Sequence, residues 1–105
     1  MSEVPKSGSH MPKYIILGNW TDQGVKTVKE TAKRADAAKA LAAKVGAKLD
    51  VYWTMGAYDF VAVADAPNDE AYMRLAFQIG AQGNTRTTTL KAWTQDETAK
   101  VLAKL

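Results

Sequence analysis

The chain has 105 residues, enough for one domain with a single core, yet small enough for self-association to add much of its stability. It has no cysteine, which excludes disulfides, thiolate metal ligands and a cysteine nucleophile and fits a reducing, cytoplasmic setting; its net charge is only +3, from 14 Lys and Arg against 11 Asp and Glu. No apolar run approaches the roughly 20 residues that span a bilayer, so no membrane partner is expected.

Residues 1–10 are polar and end in Gly8-Ser9-His10 just before a second methionine, the pattern of an expression leader. The domain is therefore expected over residues 11–105. Setting the leader aside removes one acid (Glu3), one base (Lys6) and His10, so the domain keeps its charge and has no histidine. It lacks the commonest general base and the commonest transition-metal ligand, and neither a metal nor a cofactor is expected.

Lys13 through Trp20 has a continuous apolar centre and reads as a strand. Thr21 and Asp22 offer an N-cap. From Val25 the apolar residues recur at 28, 32, 35, 38, 41, 42 and 45, a helical period that Gly46 ends. The β-branched Thr27, Val28 and Thr31 predict a break near Thr31, which is placed to cap the second piece. Lys48 to Met55 alternates like a strand, Gly56-Ala57 turns the chain, and Tyr58 to Ala64 is a second strand of that pair. Pro67-Asn68-Asp69-Glu70 starts a helix whose buried stripe is Tyr72, Leu75, Ala76 and Ile79, with Met73 and Phe77 left as a second contact surface. Gly80 and Gly83 end it. Thr85 to Trp93 is a β-branched strand, and Thr94 with Glu97 forms a capping box for a last helix.

The order βαββαβα, read as two split βαβ units with right-handed crossovers, predicts an α+β ferredoxin-like domain: a four-stranded antiparallel sheet in the order 4-1-3-2 with helices on one face. In that topology Asn19, Trp20, Trp53 to Met55, Tyr58, Asp59 and Asn84 to Arg86 collect at one sheet edge, beside the start of the first helix. Asp59 and Arg86 start strands roughly 10 Å apart, two strand spacings, so an ion pair is expected. It either pins the edge or aims Arg86 at a ligand anion, with Tyr58 as proton or hydrogen-bond donor. Strand parity is read as placing Tyr52, Thr54, Thr87, Thr89, Lys91 and Trp93 on the open face and Val51, Trp53 and Leu90 on the helix face. A wet, tryptophan-bearing open face predicts a homo-oligomer through that face.

Seven Lys and Arg between Lys26 and Lys48 have no interleaved aromatics and read as a solvated helix face, so no nucleic-acid partner is expected. Gly80 and Gly83 end a helix and are no nucleic-acid clamp, and phosphate-loop, dinucleotide and Gly-x-Ser-x-Gly patterns are absent.

Through Met55-Gly56-Ala57-Tyr58-Asp59-Phe60, Ala66-Pro67-Asn68-Asp69-Glu70 and Gly83-Asn84-Thr85-Arg86-Thr87-Thr88-Thr89-Leu90-Lys91-Ala92 the chain resembles the GYD domain family. The likeness runs over about residues 13–104 and includes Thr21-Asp22-Gln23-Gly24 and Lys33-Arg34, with Trp93 and Thr85 where phenylalanine and valine are expected. The resemblance implies a ferredoxin-like fold related to dimeric α/β barrels and carries no established activity. The expected function is a homo-oligomeric domain that binds or senses a small anionic molecule at Asn19, Trp20, Tyr58, Asp59 and Arg86. Two alternatives stay open. One is a cofactor-independent enzyme on a small aromatic or carboxylate substrate, with Tyr58 and Asp59 as acid and base and Arg86 as clamp; the other is a partner-binding module.

Overall fold

In the computed structural model, which describes residues 11–105, the order is β1 (Lys13–Trp20), α1 (Asp22–Lys26), a 3₁₀ turn (Val28–Glu30), α2 (Thr31–Lys44), β2 (Lys48–Trp53), β3 (Phe60–Asp65), α3 (Asp69–Gly80), β4 (Thr85–Ala92) and α4 (Gln95–Leu102). The expected leader lies outside the described residues. All strand pairs are antiparallel and the sheet order is β2-β3-β1-β4, the ferredoxin-like arrangement. No helix among the described residues is long and apolar enough to cross a membrane.

Local chemistry sets the helix ends. The Thr21 hydroxyl accepts the Gly24 N–H at the start of α1, and Asn68 accepts the Ala71 N–H at the start of α3. Thr94 and Glu97 form the full reciprocal capping box of α4. At the end of α2, Gly46 sits at φ +75° while its N–H reaches Ala43 O and the Ala47 N–H reaches Ala42 O, a Schellman closure that a residue with a Cβ adopts at a cost. The break before α2 falls at Thr31 as expected, but its cause differs. Glu30 is the N-cap residue and caps nothing through its side chain, while the Thr31 hydroxyl donates back to Val28 O and stabilises the 3₁₀ turn instead. Val25 and Val28, read as part of the buried stripe, are exposed because the break rotates them out of line with α2.

Tyr14, Ile16, Leu49, Ala62 and Ala64 on one sheet face meet Ala42 of α2 and Leu75 of α3. Leu75, 1 % exposed, is the one large side chain fully buried among the described residues, and alanine makes up most of the rest. Burying a leucine contributes about 1.5–3 kcal/mol and each further CH₂ about 0.8, so this alanine-rich layer draws comparatively little stability from volume.

Register corrects one reading of parity. Tyr52 pairs with Val61, Val61 with Leu17 and Leu17 with Thr88; in the next row Asp50, Val63, Ile15 and Leu90 stand side by side. Leu90 therefore belongs to the open face, and Thr87, Thr89 and Lys91 share the helix face with Gly18, Ile16 and Tyr14. Alternation within a strand was legible, but the phase between strands is set by register, and one residue of slip exchanges the faces. Trp93 follows the end of β4 and lies near the Lys91 ammonium, 6.0 Å from its ring centroid, rather than in the open sheet face.

The helix face of β4 is tied down by a polar cluster. Tyr14 and Tyr72 stack with centroids 4.2 Å apart, the Tyr14 hydroxyl donates to Asp69, and Lys91 Nζ lies 3.0 Å from Asp69 Oδ1. The Tyr72 and Thr89 hydroxyls are 2.6 Å apart. Burial first, then the bond to Asp69 and its charge, push the Tyr14 phenol well above its ordinary pKa. The Tyr14 hydroxyl and then the Lys91 ammonium hold Asp69 below the ordinary carboxylate range.

A raised phenol pKa stabilises the fold below about pH 10 and withdraws that contribution as pH climbs above it; a depressed carboxyl stabilises above about pH 4 and withdraws it on acidification. Thermal melts should therefore fall off on both sides of a plateau. Tyr14→Phe should flatten the alkaline limb, whereas an alkaline limb identical to that of the parent would remove Tyr14 from this account.

Candidate functional site

The end of β1 is clamped from both sides. On one side the Asp59 N–H donates to Gly18 O at 2.8 Å and to Asn19 Oδ1 at 3.1 Å, and the Asp59 carboxylate accepts the Trp20 N–H at 3.0 Å. On the other side the Thr21 N–H donates to Asn84 O at 3.1 Å and the Thr21 hydroxyl to Gly83 O at 2.6 Å. Gln23 Nε2 adds bonds to Gln82 O and Asn84 Oδ1 at 2.8 and 2.9 Å. Glycine at position 24 is required by contact, since a Cβ there would lie 2.0 Å from Asn84 O.

Of the five expected site residues, the structure joins Asn19, Trp20 and Asp59 through these bonds. Tyr58 is held by its carbonyl, which accepts from the Thr54 hydroxyl at 2.7 Å, and its side chain stays partly exposed. Arg86 faces Asn19 across the β1/β4 register and is exposed. Among the described residues Arg86 and Asp59 form no ion pair, which corrects the expected pairing: the Asp59 carboxylate turns to the Trp20 N–H, next to it on the neighbouring strand. The start of α1 meets the Thr21 hydroxyl of its own chain, so its amide is already partnered there.

A cavity of about 130 Å³ lies between the sheet and the α2/α3 layer. Its body is apolar, with Leu49, Val51, Phe60, Leu75 and Ile79, and alanines 35, 38, 62 and 76 bound it where larger residues would close it. Trp20 and Trp53 line it too, with Asn84 and Thr85 from the same sheet end as the clamp and Thr31 and Arg34 from the first turn of α2. Trp20 is thus the one expected site residue that reaches this cavity. Asn19 and Arg86 alternate onto the opposite side of the same edge, a direct result of the two-residue strand period. Phe60 packs across Gly18, where a Cβ would fall 2.0 Å from the ring, so the absent side chain lets the ring floor the cavity.

Sequence reading missed Arg34 and the cavity. The available signal was alanine on facing surfaces, Ala35 and Ala38 against Ala62 and Ala76.

The GYD domain family profile matches residues 14–102. The chain belongs to the GYD domain family. This GYD domain is 31 % identical over 84 residues to a Thermus thermophilus protein named glutamine synthetase and cystathionine beta-lyase binding protein, a match covering 78 % of this chain and 88 % of that protein. It is similar in fold to a crystal structure of a Thermus thermophilus protein, with TM-score 0.52, 24 % identity, and coverage of 80 % of this chain and 95 % of that one. A dimeric ferredoxin-like protein of unknown function from Thermobifida fusca aligns with TM-score 0.51 and 18 % identity over 88 % of this chain and 100 % of that one.

The clamp and the missing ion pair make different demands on mutants. Asp59→Ala should destabilise the GYD domain by about 1–3 kcal/mol, the cost of stranding a partly buried donor, while Arg86→Met should stay within about 0.5 kcal/mol of the parent. In a denaturant double-mutant cycle the two should add; a coupling above about 1 kcal/mol would restore the pair.

Proposed function

We propose that this chain is a homo-oligomeric binding domain, in which two copies join through their open sheet faces and each keeps the α2/α3 cavity for a small, mainly apolar molecule. The cavity carries the reading. At roughly 24 cal/mol per Å³, leaving a closed void of this size unfilled costs about 3 kcal/mol, an upper bound because part of it opens to solvent. That is a sizeable share of the 5–15 kcal/mol that typically holds a domain together. Longer side chains at the bounding alanines would recover some of it, so the alanines make sense if the space is used.

The open face supports the oligomer. Ile15, Leu17, Val61, Val63 and Leu90 make a contiguous apolar patch between a row containing the 2.7 Å Lys13–Asp65 ion pair and a row containing Asn19 and Arg86. Tyr52 and Leu90, 59 % and 48 % exposed, extend the patch to both sheet edges. An apolar centre with polar rims is the usual form of a protein interface, and a two-fold axis makes such a surface self-complementary. Absence of cysteine suits a cytoplasmic setting.

A second reading, a dock for another protein, draws support from the binding-protein name of the Thermus relative. It also draws on Met73 and Phe77, which stand exposed on the outer side of α3. The enzyme alternative gains less, because its proposed base, Asp59, is engaged with the Trp20 backbone.

Light scattering on a sizing column should give at least twice the 11.4 kDa chain mass, and Val63→Asp should return it to one chain. Ala38→Leu, which fills the cavity, should stabilise the fold by about 0.5–2 kcal/mol and abolish the thermal shift produced by any cavity ligand. A folded monomeric parent would overturn the oligomer, and an Ala38→Leu protein that still binds such a ligand would overturn the site.

A further inference from the structure

We infer that the cavity takes small monocarboxylates, with Arg34 as the counter-charge and the apolar chamber holding a body of about phenyl or six-carbon size. The inference rests on reading the cavity as a binding site and adds the chemical class of what enters it. Among the described residues, Arg34 is the only charged one in the lining. Its guanidinium is unusually placed. Nη1 donates to Thr27 O and Thr27 Oγ1, both at 3.0 Å, and Nη2 donates to Gly24 O at 3.2 Å and Thr31 Oγ1 at 3.4 Å. Every one of these acceptors is neutral.

Among the described residues no carboxylate lies within ion-pair distance of Arg34; the acid one helical turn before it, Glu30, faces Lys33 at 3.8 Å. Four hydrogen bonds fix the plane of the guanidinium without neutralising it, which is the pre-organisation a planar anion rewards. The Nε–H has no partner among the described residues, and the Thr31 bond on Nη2 is the longest of the set. A carboxylate along the Nε/Nη2 edge would engage both groups in the bidentate mode, at the cost of weakening only the longest of the existing bonds.

Size and polarity agree with the charge. An apolar cavity of about 150 Å³ holds a benzene molecule, so the volume here suits one ring or a short acyl chain. Leu75, Ile79 and Phe60 supply the apolar walls, and Trp20 and Trp53 flank the chamber, so an amphiphile with its carboxylate at Arg34 has both ends matched. A phosphate ester or dianion fits less well, because one guanidinium is the whole of the lining's charge.

The test is calorimetric titration of the full protein at low salt with phenylacetate and hexanoate, each against its neutral amide, phenylacetamide and hexanamide. The parent should bind each acid roughly tenfold or more tighter than its amide, the range of a charge-assisted hydrogen bond, and added salt should narrow the gap. In Arg34→Gln the acid should lose its advantage while amide affinity is retained. Because Arg34 also closes the end of α1, Arg34→Lys provides a milder variant that keeps the charge and loses the fork; its acid preference should fall between the two. Equal binding of acid and amide by the parent would leave the cavity as a binding site and overturn the role of Arg34. An acid preference undiminished in Arg34→Gln would overturn that role as well, and failure of all four probes to bind the parent would overturn the cavity reading along with it.

Discussion

The clamp around the last residues of β1 is the constraint on which the other features depend. A strand end in water has loose backbone groups, yet here Asp59 engages the Trp20 N–H from one side and Asn84 the Thr21 N–H from the other. With its main chain fixed, Trp20 holds one wall of the cavity, and the helix that begins next is set down against Asn84 with no room for a Cβ at Gly24. The carbonyls of Gly24 and Thr27 then hold the Arg34 guanidinium. A chain of hydrogen bonds thus runs from the sheet to the cation that lines the cavity. A neutral link is worth about 0.5–1.5 kcal/mol alone and one to a charged group about 1.5–3, and together they fix the geometry of this sheet end.

Volume is arranged in the opposite spirit. The interior is built from alanine where leucine or valine would add burial, and one leucine sits fully enclosed. Interiors of ordinary domains fill to the density of organic crystals, and voids larger than a water are few. A domain with a thin core gains from pairing, and the proposed assembly through the apolar centre of the open face would add such burial. The two faces of the sheet divide the work. The helix face encloses the cavity, and the open face carries the apolar patch of Ile15, Leu17, Val61, Val63 and Leu90 proposed for assembly.

The fold was legible in the sequence because its signals were local and agreed with one another: capping residues at 21, 68 and 94, a glycine stop at 46, and strand alternation on each side of Gly56. Strand order followed from the spacing of the elements. Of the candidate site, the sequence showed which residues gather at one sheet end and no more. Trp20, Trp53 and Asn84 were expected at one sheet edge and there line the cavity, but period-2 alternation sends Asn19 and Arg86 to the other side of it, and no sequence pattern specifies which side holds empty space. The expected Asp59–Arg86 pair failed because a backbone N–H on the adjacent strand lies nearer the carboxylate than a guanidinium two strands away. Arg34 read as one more lysine-like residue on a solvated basic helix. Its distinction comes from the break before α2, which turns the carbonyl end of α1 toward it.

On the proposed reading, small molecules enter between the helices and the sheet, beside Trp20, rather than at the strand edge marked by Tyr58 and Arg86. Intermolecular nuclear Overhauser effects report this directly. With hexanoate bound, its methyl and methylene protons should show contacts to the methyl groups of Leu75 and Ile79 and to the indole protons of Trp20 and Trp53. Contacts confined to the Tyr58 ring, or to Leu17 and Val63 on the open face, would contradict the account.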